Sequence, residues 1–363
     1  MRIGVPREIK DQEFRVGLTP AAVASLIAQG HQVYIETGAG LGSGFSDQAY
    51  AEVGATIAPS PQQVYSQELV VKVKEPLATE YEFLHGDLVL FTYLHLAASR
   101  SLTAALLNSG VTCIAYETVQ LANGQLPLLT PMSMIAGRLA TQFGAHFLTR
   151  QLGGSGVLLG GIPGVRPGQV VILGGGMVGT EAAKMAVGLG AKVQILDLSV
   201  KRLGELEQIF GSRVELIYSS SSAIAETVPK ADLLIGAVLI PGKRAPHLVQ
   251  AELVAQMRSR SVIVDVAVDQ GGCVATMRPT SHSEPVFVEA GVLHYGVPNM
   301  PGAVPWTATQ ALVNATLPYV QAIAAQGLGA LDQDPALAQG LNIARGKICH
   351  PAVQQVFPDL PHT

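Results

Sequence analysis

The chain has 363 residues, 48% of them hydrophobic and only 14% charged, against about 25% charged in an average soluble domain; at about 150 residues per domain this length predicts two cores and much buried surface. A formal net charge of −4 without any run of basic residues excludes a nucleic-acid or anionic-membrane partner, and the longest apolar runs, "LVLFTYL" and "LLIGAVLI", fall well short of the roughly 18 residues that a membrane span needs. Cys113, Cys273 and Cys349 have no C-x-x-C spacing, so neither a disulfide framework nor a metal site is expected, and "MRIGVPREIK" enters a strand pattern with no apolar h-region, so the expected location is cytoplasmic.

In chain order, the strand "RIGV" is followed by the helix "TPAAVASLIAQG", with Thr19 as N-cap, Pro20 in the first turn and Gly30 past the end. Next come the strand "HQVYIET", the helix "DQAYAEVG", the strands "ELVVKVK" and "LVLFTYLH", the helix "SRSLTAALLNSG" and the strand "TCIAY". Strands alternating with helices imply a parallel sheet. A longer helix is expected from Pro131, with Ile135, Leu139, Phe143 and Phe147 on its apolar face, bridging to a second domain. There "QVVIL", "KVQILDL", "VELIY", "DLLIGAVL", "SVIVDVAVD" and "VLHYGV" make a six-strand doubly wound series. After "VPNMPGAVPW" a helix over 307–326, kinked at Pro318, leads into a tail too short to be a domain. The expected fold is therefore α/β: two Rossmann-like doubly wound domains with a cleft between them. The first, substrate-binding domain is discontinuous, formed by 1–130 and 305–363, and 131–304 is the dinucleotide-binding domain.

The stretch "QVVILGGGMVGTEAAK" places Gly174, Gly176 and Gly179 as G-x-G-x-x-G between a strand and a helix, with Met177 and Val178 in the first helical turn. The first glycine makes the turn, the second admits a pyrophosphate to the backbone, and the third lets helix pack on strand. Asp197, 18 residues beyond Gly179, stands where a carboxylate accepts the adenosine ribose hydroxyls and repels a 2′-phosphate, which favours NAD over NADP. Lys201 and Arg202 nearby are read as solvated helix surface or as cofactor contacts.

In the first domain, Arg15 follows the first strand, Lys74 ends "VVKVK" and His95 ends "LVLFTYLH". Strand ends of an open parallel sheet share one edge, so these residues converge where ligands bind. Lys74 meets a carboxylate there as a point charge and Arg15 grips it at two points. Lys72, on the same face, is expected to snorkel at an edge. Taken singly, Arg15 reads as a surface residue, His95 as a core histidine and Asp269 as a cap on the turn "QGG".

The segments "VPREIKDQEFRVGLTP", "KVKEP", "FTYLHLAASR", "PMSMIAGRLA", "LGGGMVGTEAAK", "AVLIPGKRAP", "VDVAVDQGGC" and "VPNMPGAVPWTAT" together closely resemble the L-alanine dehydrogenase family, which is related to the NAD-binding subunit of proton-translocating transhydrogenase. The resemblance spans nearly the whole chain apart from about the last 30 residues. It implies reversible oxidative deamination of L-alanine by NAD to pyruvate and ammonium, in a homo-oligomer that is usually a hexamer. By matching motif it makes His95 the acid/base, with Asp269 assisting at the reacting carbon, and gives the substrate carboxylate to Arg15 and Lys74. Ser133, Asp197, Arg202, Ser219, Val238, Leu239, Ala267, Val268, Asp269, Val297, Asn299 and Met300 would touch NAD, with Asn299 also near the substrate; at 202 Lys201 competes for the match.

Hydride leaves the alanine α-carbon only from the neutral amine, and water must then attack the iminium. Both steps need a group exchanging protons near neutrality, the ordinary range of a histidine. Lys74 is the alternative base if Arg15 and burial lower its pKa, but a clamp needs it charged. Rival readings are a transhydrogenase-type subunit without a small substrate, a related amino-acid dehydrogenase such as one that splits saccharopine, and a catalytically silent NAD sensor.

Overall fold

The structure is a computed structural model that describes residues 1–238, 246–268 and 271–363. The chain divides into two compact units, Met1–Met132 with Gly302–Thr363, and Ser133–Pro301. Both are α/β.

In the first unit the strands lie in the spatial order Thr56–Ala58, Gln32–Glu36, Arg2–Val5, Leu69–Val71, Val89–Thr92 and Thr112–Ala115, all parallel. The tail adds Leu341–Ala344 and Lys347–Ile348 as antiparallel strands beyond Thr112–Ala115. Leu69–Val71, Val89–Thr92 and Thr112–Ala115 are buried at every residue, as expected for strands covered on both faces. The helix Pro20–Ala28 starts as its sequence dictates, with Thr19 Oγ1 accepting the Ala22 amide at 3.3 Å and Pro20 in the first turn, where it has no amide to lose. The order reverses between the first and fourth strands, Arg2–Val5 and Leu69–Val71. Ligands gather at such a switch point, outside the carboxyl ends of the strands, and the segments leaving these two strands carry Arg15 and Lys74.

The second unit repeats the plan. Val214–Tyr218, Lys192–Asp197, Gln169–Leu173, Leu233–Gly236, Val262–Asp265 and Val292–Tyr295 are parallel, and Val286–Glu289 closes the edge antiparallel. Six of these seven strands match runs read from the sequence, and the added edge strand has no fully buried residue. The helix Thr130–Phe147 buries Ile135, Leu139 and Phe147. The helix Pro305–Gln326 contains Pro318. No helix among the described residues is long and apolar enough to cross a membrane, and among them no His, Cys, Asp and Glu cluster could hold a metal ion.

Three strands end earlier than their apolar runs. "ELVVKVK" stops at Val71, "LVLFTYLH" at Thr92 and "SVIVDVAVD" at Asp265. In the first and third, a buried carboxylate takes amides that a neighbouring strand would otherwise receive. Glu8 Oε1 accepts the amides of Val73 at 2.7 Å and Lys74 at 3.2 Å. Asp265 accepts those of Ala267, Cys273 and Val274.

Candidate active site

Lys72 and Lys74 differ by two positions and have opposite surroundings. Lys72 is wholly buried, with its ammonium 2.8 Å from Glu80 Oε1 and 3.3 Å from Glu8 Oε2. Glu80 is further held by the Tyr65 hydroxyl at 2.7 Å and the Leu77 amide at 2.8 Å. Burial alone would lower the pKa of Lys72, but Glu8 and the rest of this cluster outweigh it and hold the ammonium above lysine's ordinary range. The expected snorkelling is thus corrected: two acids distant in sequence neutralise the charge inside the protein.

Lys74 is 9% exposed. Its backbone is pinned by Glu8 at the amide and by Thr92 Oγ1, which donates to its carbonyl at 2.9 Å. Its ammonium makes no hydrogen bond or ion pair among the described residues. Burial and then the Arg15 guanidinium hold its pKa below the ordinary lysine value, against weaker opposing fields from Glu13 and Glu75. A buried cation without a carboxylate partner is costly unless a ligand supplies one.

Arg15 is 2% exposed, so the surface reading fails. Its Nε donates to Glu13 Oε1 at 2.6 Å, its Nη2 pairs with Glu13 Oε2 at 2.5 Å, and Nη1 lies 3.1 Å from Met132 Sδ. Burial opposes the charge, but Glu13 more than compensates and keeps the guanidinium firmly protonated. Next along the chain, the Val16 amide donates to Thr309 Oγ1 of the return helix at 3.2 Å. A cavity of about 370 Å³ reaches Arg15, lined also by Arg7, Glu8, Lys10 and Glu13; Lys74 and His95 are not in its wall.

His95 does not end a strand. It sits three residues beyond one, with φ of 49°, and its imidazole is half exposed, so it is not a core histidine. Left-handed backbone is strained for a non-glycine residue and persists where the surroundings enforce it. Here Glu117 does so: its carboxylate accepts the amides of Leu94 at 3.1 Å and His95 at 2.6 Å, and Oε1 lies 4.0 Å from the imidazole Nδ1. Tyr93 stacks on the ring with centroids 5.9 Å apart, and its hydroxyl is fixed by donating to the Leu128 carbonyl at 2.6 Å. Of the convergence expected in the first unit, Arg15 and Lys74 stand near enough for the guanidinium to depress the Lys74 pKa, while no hydrogen bond or ion pair joins either of them to His95 among the described residues.

In the second unit the glycine turn leads from Gln169–Leu173 into the helix Met177–Gly188. A Cβ on Gly179 would stand 1.9 Å from the Gly174 carbonyl oxygen, so only glycine lets the helix lie so near the strand end. A Cβ on Gly176 would meet nothing within 4 Å, which leaves the first-turn backbone open to a phosphate. The helix Thr130–Phe147, which carries half-buried Ser133, packs against this turn: a Cβ on Gly137 would be 2.2 Å from the Val178 carbonyl. Asp197 Oδ2 accepts the Gly175 amide at 2.7 Å and Oδ1 the Ser199 amide at 2.8 Å, while the Ser219 amide donates to the Asp197 carbonyl at 3.0 Å. Lys201 is exposed. Arg202 instead joins the turn, donating from Nε to the Gly175 carbonyl at 2.7 Å and from Nη2 to Thr180 Oγ1 at 2.8 Å. These residues fit a dinucleotide: an open helix N-terminus with a carboxylate beside it.

Val238 sits beside Gly174, with its Cγ2 3.2 Å from where a Cβ there would lie. Ala267 and Val268 are buried beyond the strand Val262–Asp265, as are Val297 and Met300 beyond Val292–Tyr295. Asn299 has φ of 58° and is hydrogen-bonded or otherwise engaged. Leu239 and Asp269 lie outside the described residues.

The carboxylates Glu8, Glu13, Glu117 and Asp265 were missed by sequence reasoning. Glu13 had a weak signal, an acid two residues before the arginine. Glu8 lies 66 residues from Lys74 and Glu117 lies 22 from His95, and no local pattern connects them.

Models of the alanine dehydrogenase/PNT N-terminal and C-terminal domains match residues 4–136 and 140–351. The chain is 54% identical over 366 residues to an alanine dehydrogenase of Methanococcus maripaludis, covering 100% of this chain and 98% of that one. It is 56% identical over 355 residues to an alanine dehydrogenase of Bacillus subtilis, covering 97% and 94%. A solved L-alanine dehydrogenase superposes with a TM-score of 0.97 at 67% identity over 99% of both chains. A transhydrogenase from Sinorhizobium meliloti superposes with a TM-score of 0.83 at 24% identity, covering 97% of this chain and 100% of that one, a likeness of fold.

Proposed function

The chain belongs to the alanine dehydrogenase/PNT family and is an NAD-dependent alanine dehydrogenase, and from that premise we propose how its residues divide the oxidation of L-alanine to pyruvate and ammonium. Arg15 and Lys74 hold the substrate carboxylate. The observation that carries this is the Lys74 ammonium, buried beside Arg15 and with no hydrogen bond or ion pair to a carboxylate among the described residues. A ligand carboxylate supplies the missing charge and relieves the repulsion between the two cations.

His95 moves the protons. Its exposed imidazole accepts the proton of the substrate ammonium, which frees the nitrogen lone pair that expels hydride from the α-carbon. Once that proton has passed to solvent, the neutral imidazole takes a proton from the water that attacks the resulting iminium carbon and returns it to the nitrogen, which leaves as ammonia while the carbinol hydroxyl loses its proton and becomes the pyruvate carbonyl. Glu117 and Tyr93 fix the ring for both steps. NAD, when bound, supplies the hydride acceptor. Gly174, Gly176, Met177, Val178 and Gly179 form its phosphate cradle and Asp197 receives the ribose hydroxyls. Ser133, Ser219, Val238, Leu239, Ala267, Val268, Val297 and Met300 complete the cofactor contacts, and Arg202 acts from within the turn. Asn299 and Asp269 serve at the reacting carbon.

Exposed apolar side chains at Leu158, Ile162 and Val165, each at least 60% exposed, support self-association, and the family resemblance makes the assembly a homohexamer, placed in the cytoplasm. NADH formation with a panel of L-amino acids tests the activity. L-alanine alone, or with small relatives, should reduce NAD; saccharopine as sole substrate, or no substrate at all, would overturn the reading.

A further inference from the structure

We propose that Glu8 is a positioning residue for the substrate carboxylate, tying the loop that carries Arg15 to the segment that carries Lys74. The inference rests on the clamp assigned above. The two cations of that clamp stand on chain segments leaving the first and the fourth strand of the sheet, and the peptide between them runs to dozens of residues. Nothing local sets their separation.

Glu8 bridges the gap in one side chain. It is on the Arg15 segment, and its Oε1 accepts the amides of Val73 at 2.7 Å and Lys74 at 3.2 Å on the other. Its Oε2 faces the Lys72 ammonium at 3.3 Å, and Lys72 is anchored in turn by Glu80. The Lys74 carbonyl is fixed from the opposite side by Thr92. The backbone from which the Lys74 ammonium projects is therefore held at both its polar groups, and one of the two holds leads back to the Arg15 loop. An outer tie runs parallel, Lys10 Nζ to Glu75 Oε1 at 2.5 Å, but Lys10 is largely exposed there, where such pairs contribute little.

The chemistry of the site demands a carboxylate. Glu8 meets three donors and no acceptor: two peptide amides and an ammonium. A glutamine must aim its own NH₂ at one of them, so Glu8→Gln loses a hydrogen bond and sets donor against donor. The expected consequence is displacement of the Lys74 ammonium from the substrate carboxylate, which weakens a charge-assisted contact and so substrate binding.

The test uses the full-length enzyme in the pyruvate-reducing direction. Glu8→Gln should raise the pyruvate KM about tenfold or more, with kcat much less changed and NADH affinity as in wild type. In a Lys74→Met background the same substitution should add nothing to KM, because the group it positions is gone. A merely structural role would lower thermal stability or the fraction of NADH-binding protein and leave the pyruvate KM where it was, which overturns the proposal. If Glu8→Gln does not fold, Glu8→Asp carries the test: it keeps the charge but is one methylene short, so a raised pyruvate KM supports the tie and an unchanged KM refutes it. If Lys74→Met raises KM and the Glu8 variants do not, only the tie fails. If Lys74→Met itself leaves KM unchanged, the clamp fails and this inference with it.

Discussion

The turn at 174–179 and the segments at 8–15 and 72–74 are both suited to hold an anion, and they are built from different materials. In the second unit the groups that we propose hold it are backbone amides at the start of the helix Met177–Gly188, exposed by missing side chains, and the supporting groups come from the next strand end and the helix after it: Asp197 on the Gly175 amide and Arg202 on the Gly175 carbonyl. In the first unit the groups that we propose hold the anion are the side-chain cations Lys74 and Arg15, taken out of water, with Glu8 at the Lys74 amide and Glu13 at the guanidinium. A turn that binds through its backbone tolerates no Cβ but needs no charge. A clamp of buried cations needs its charges matched, and Lys74, which pairs with no carboxylate among the described residues, is where we propose that the ligand's charge enters.

The largest expected effect lies outside both anion sites. His95→Ala should lower kcat by about 10² to 10⁴-fold, the ordinary contribution of a general acid/base, with NADH affinity unchanged, as measured by single-turnover kinetics and by NADH fluorescence. An active mutant would leave Lys74 as the base and undo the contrast between a clamp that must stay charged and a proton carrier that must not.

The next effect separates the two lysines. Lys74→Met removes a charge-assisted contact to the substrate carboxylate, about 1.5 to 3 kcal/mol, so kcat/KM for pyruvate and for L-alanine should fall about tenfold or more. Lys72→Met removes no ligand contact but strands Glu8 and Glu80 in the interior, so its mark should be on stability, of order 3 to 5 kcal/mol, read as a lower Tm or denaturant midpoint. Equal kinetic losses in both would mean that the lysines act through packing or a shared field. The pH dependence sharpens the point. Burial and Arg15 hold Lys74 below lysine's ordinary range. Because the charged form binds the carboxylate, the pyruvate KM should rise with pH while an ordinary lysine is still protonated, and Lys74→Met should abolish that rise.

The same contrast explains what was legible in the sequence. The central strands of both sheets were, because strands buried on both faces write themselves as apolar runs and the helices between them carry their own caps at Thr19 and Ser99; the outer strands Thr56–Ala58, Leu341–Ala344, Lys347–Ile348 and Val286–Glu289, short or partly exposed, were not. The glycine turn was legible because its glycines and Asp197 fall within one strand, one turn and the next strand end, although Arg202 reaches it from the helix beyond. Arg15, Lys74 and His95 were singled out by their place after strands. The reason a buried ammonium is stable at position 72 was not, since Glu8 and Glu80 reach it through tertiary contacts. The early ends of the strands at Val71 and Asp265 were hidden for the same reason: periodicity reports burial, and the carboxylates that capture those amides leave no period. His95's left-handed backbone has no sequence signal either, because its cause is Glu117 on a neighbouring segment.

The smallest expected effect tests whether the backbone turn also depends on a charge. Asp197 supports Gly175 and Ser199 through their amides, and in the proposed function its carboxylate also receives the adenosine ribose. Alanine removes both, so Asp197→Ala should weaken NADH binding through a loosened turn as well as lost ribose contacts. Asp197→Asn is the cleaner probe. Its amide oxygen can still accept from Gly175, while the charge that repels a 2′-phosphate is gone. The preference for NADH over NADPH should therefore narrow by about tenfold or less, the scale of one partly exposed charge contact, with overall turnover near wild type. It should not invert, because Arg202, the nearest guanidinium, is engaged by the Gly175 carbonyl, Thr180 and Glu205 and would have to leave the turn to meet a phosphate. A full switch to NADPH in Asp197→Asn would show that Arg202 is mobile and that the turn does not need it. An unchanged preference would show that the ribose is read elsewhere and that Asp197 serves only to hold the glycine turn.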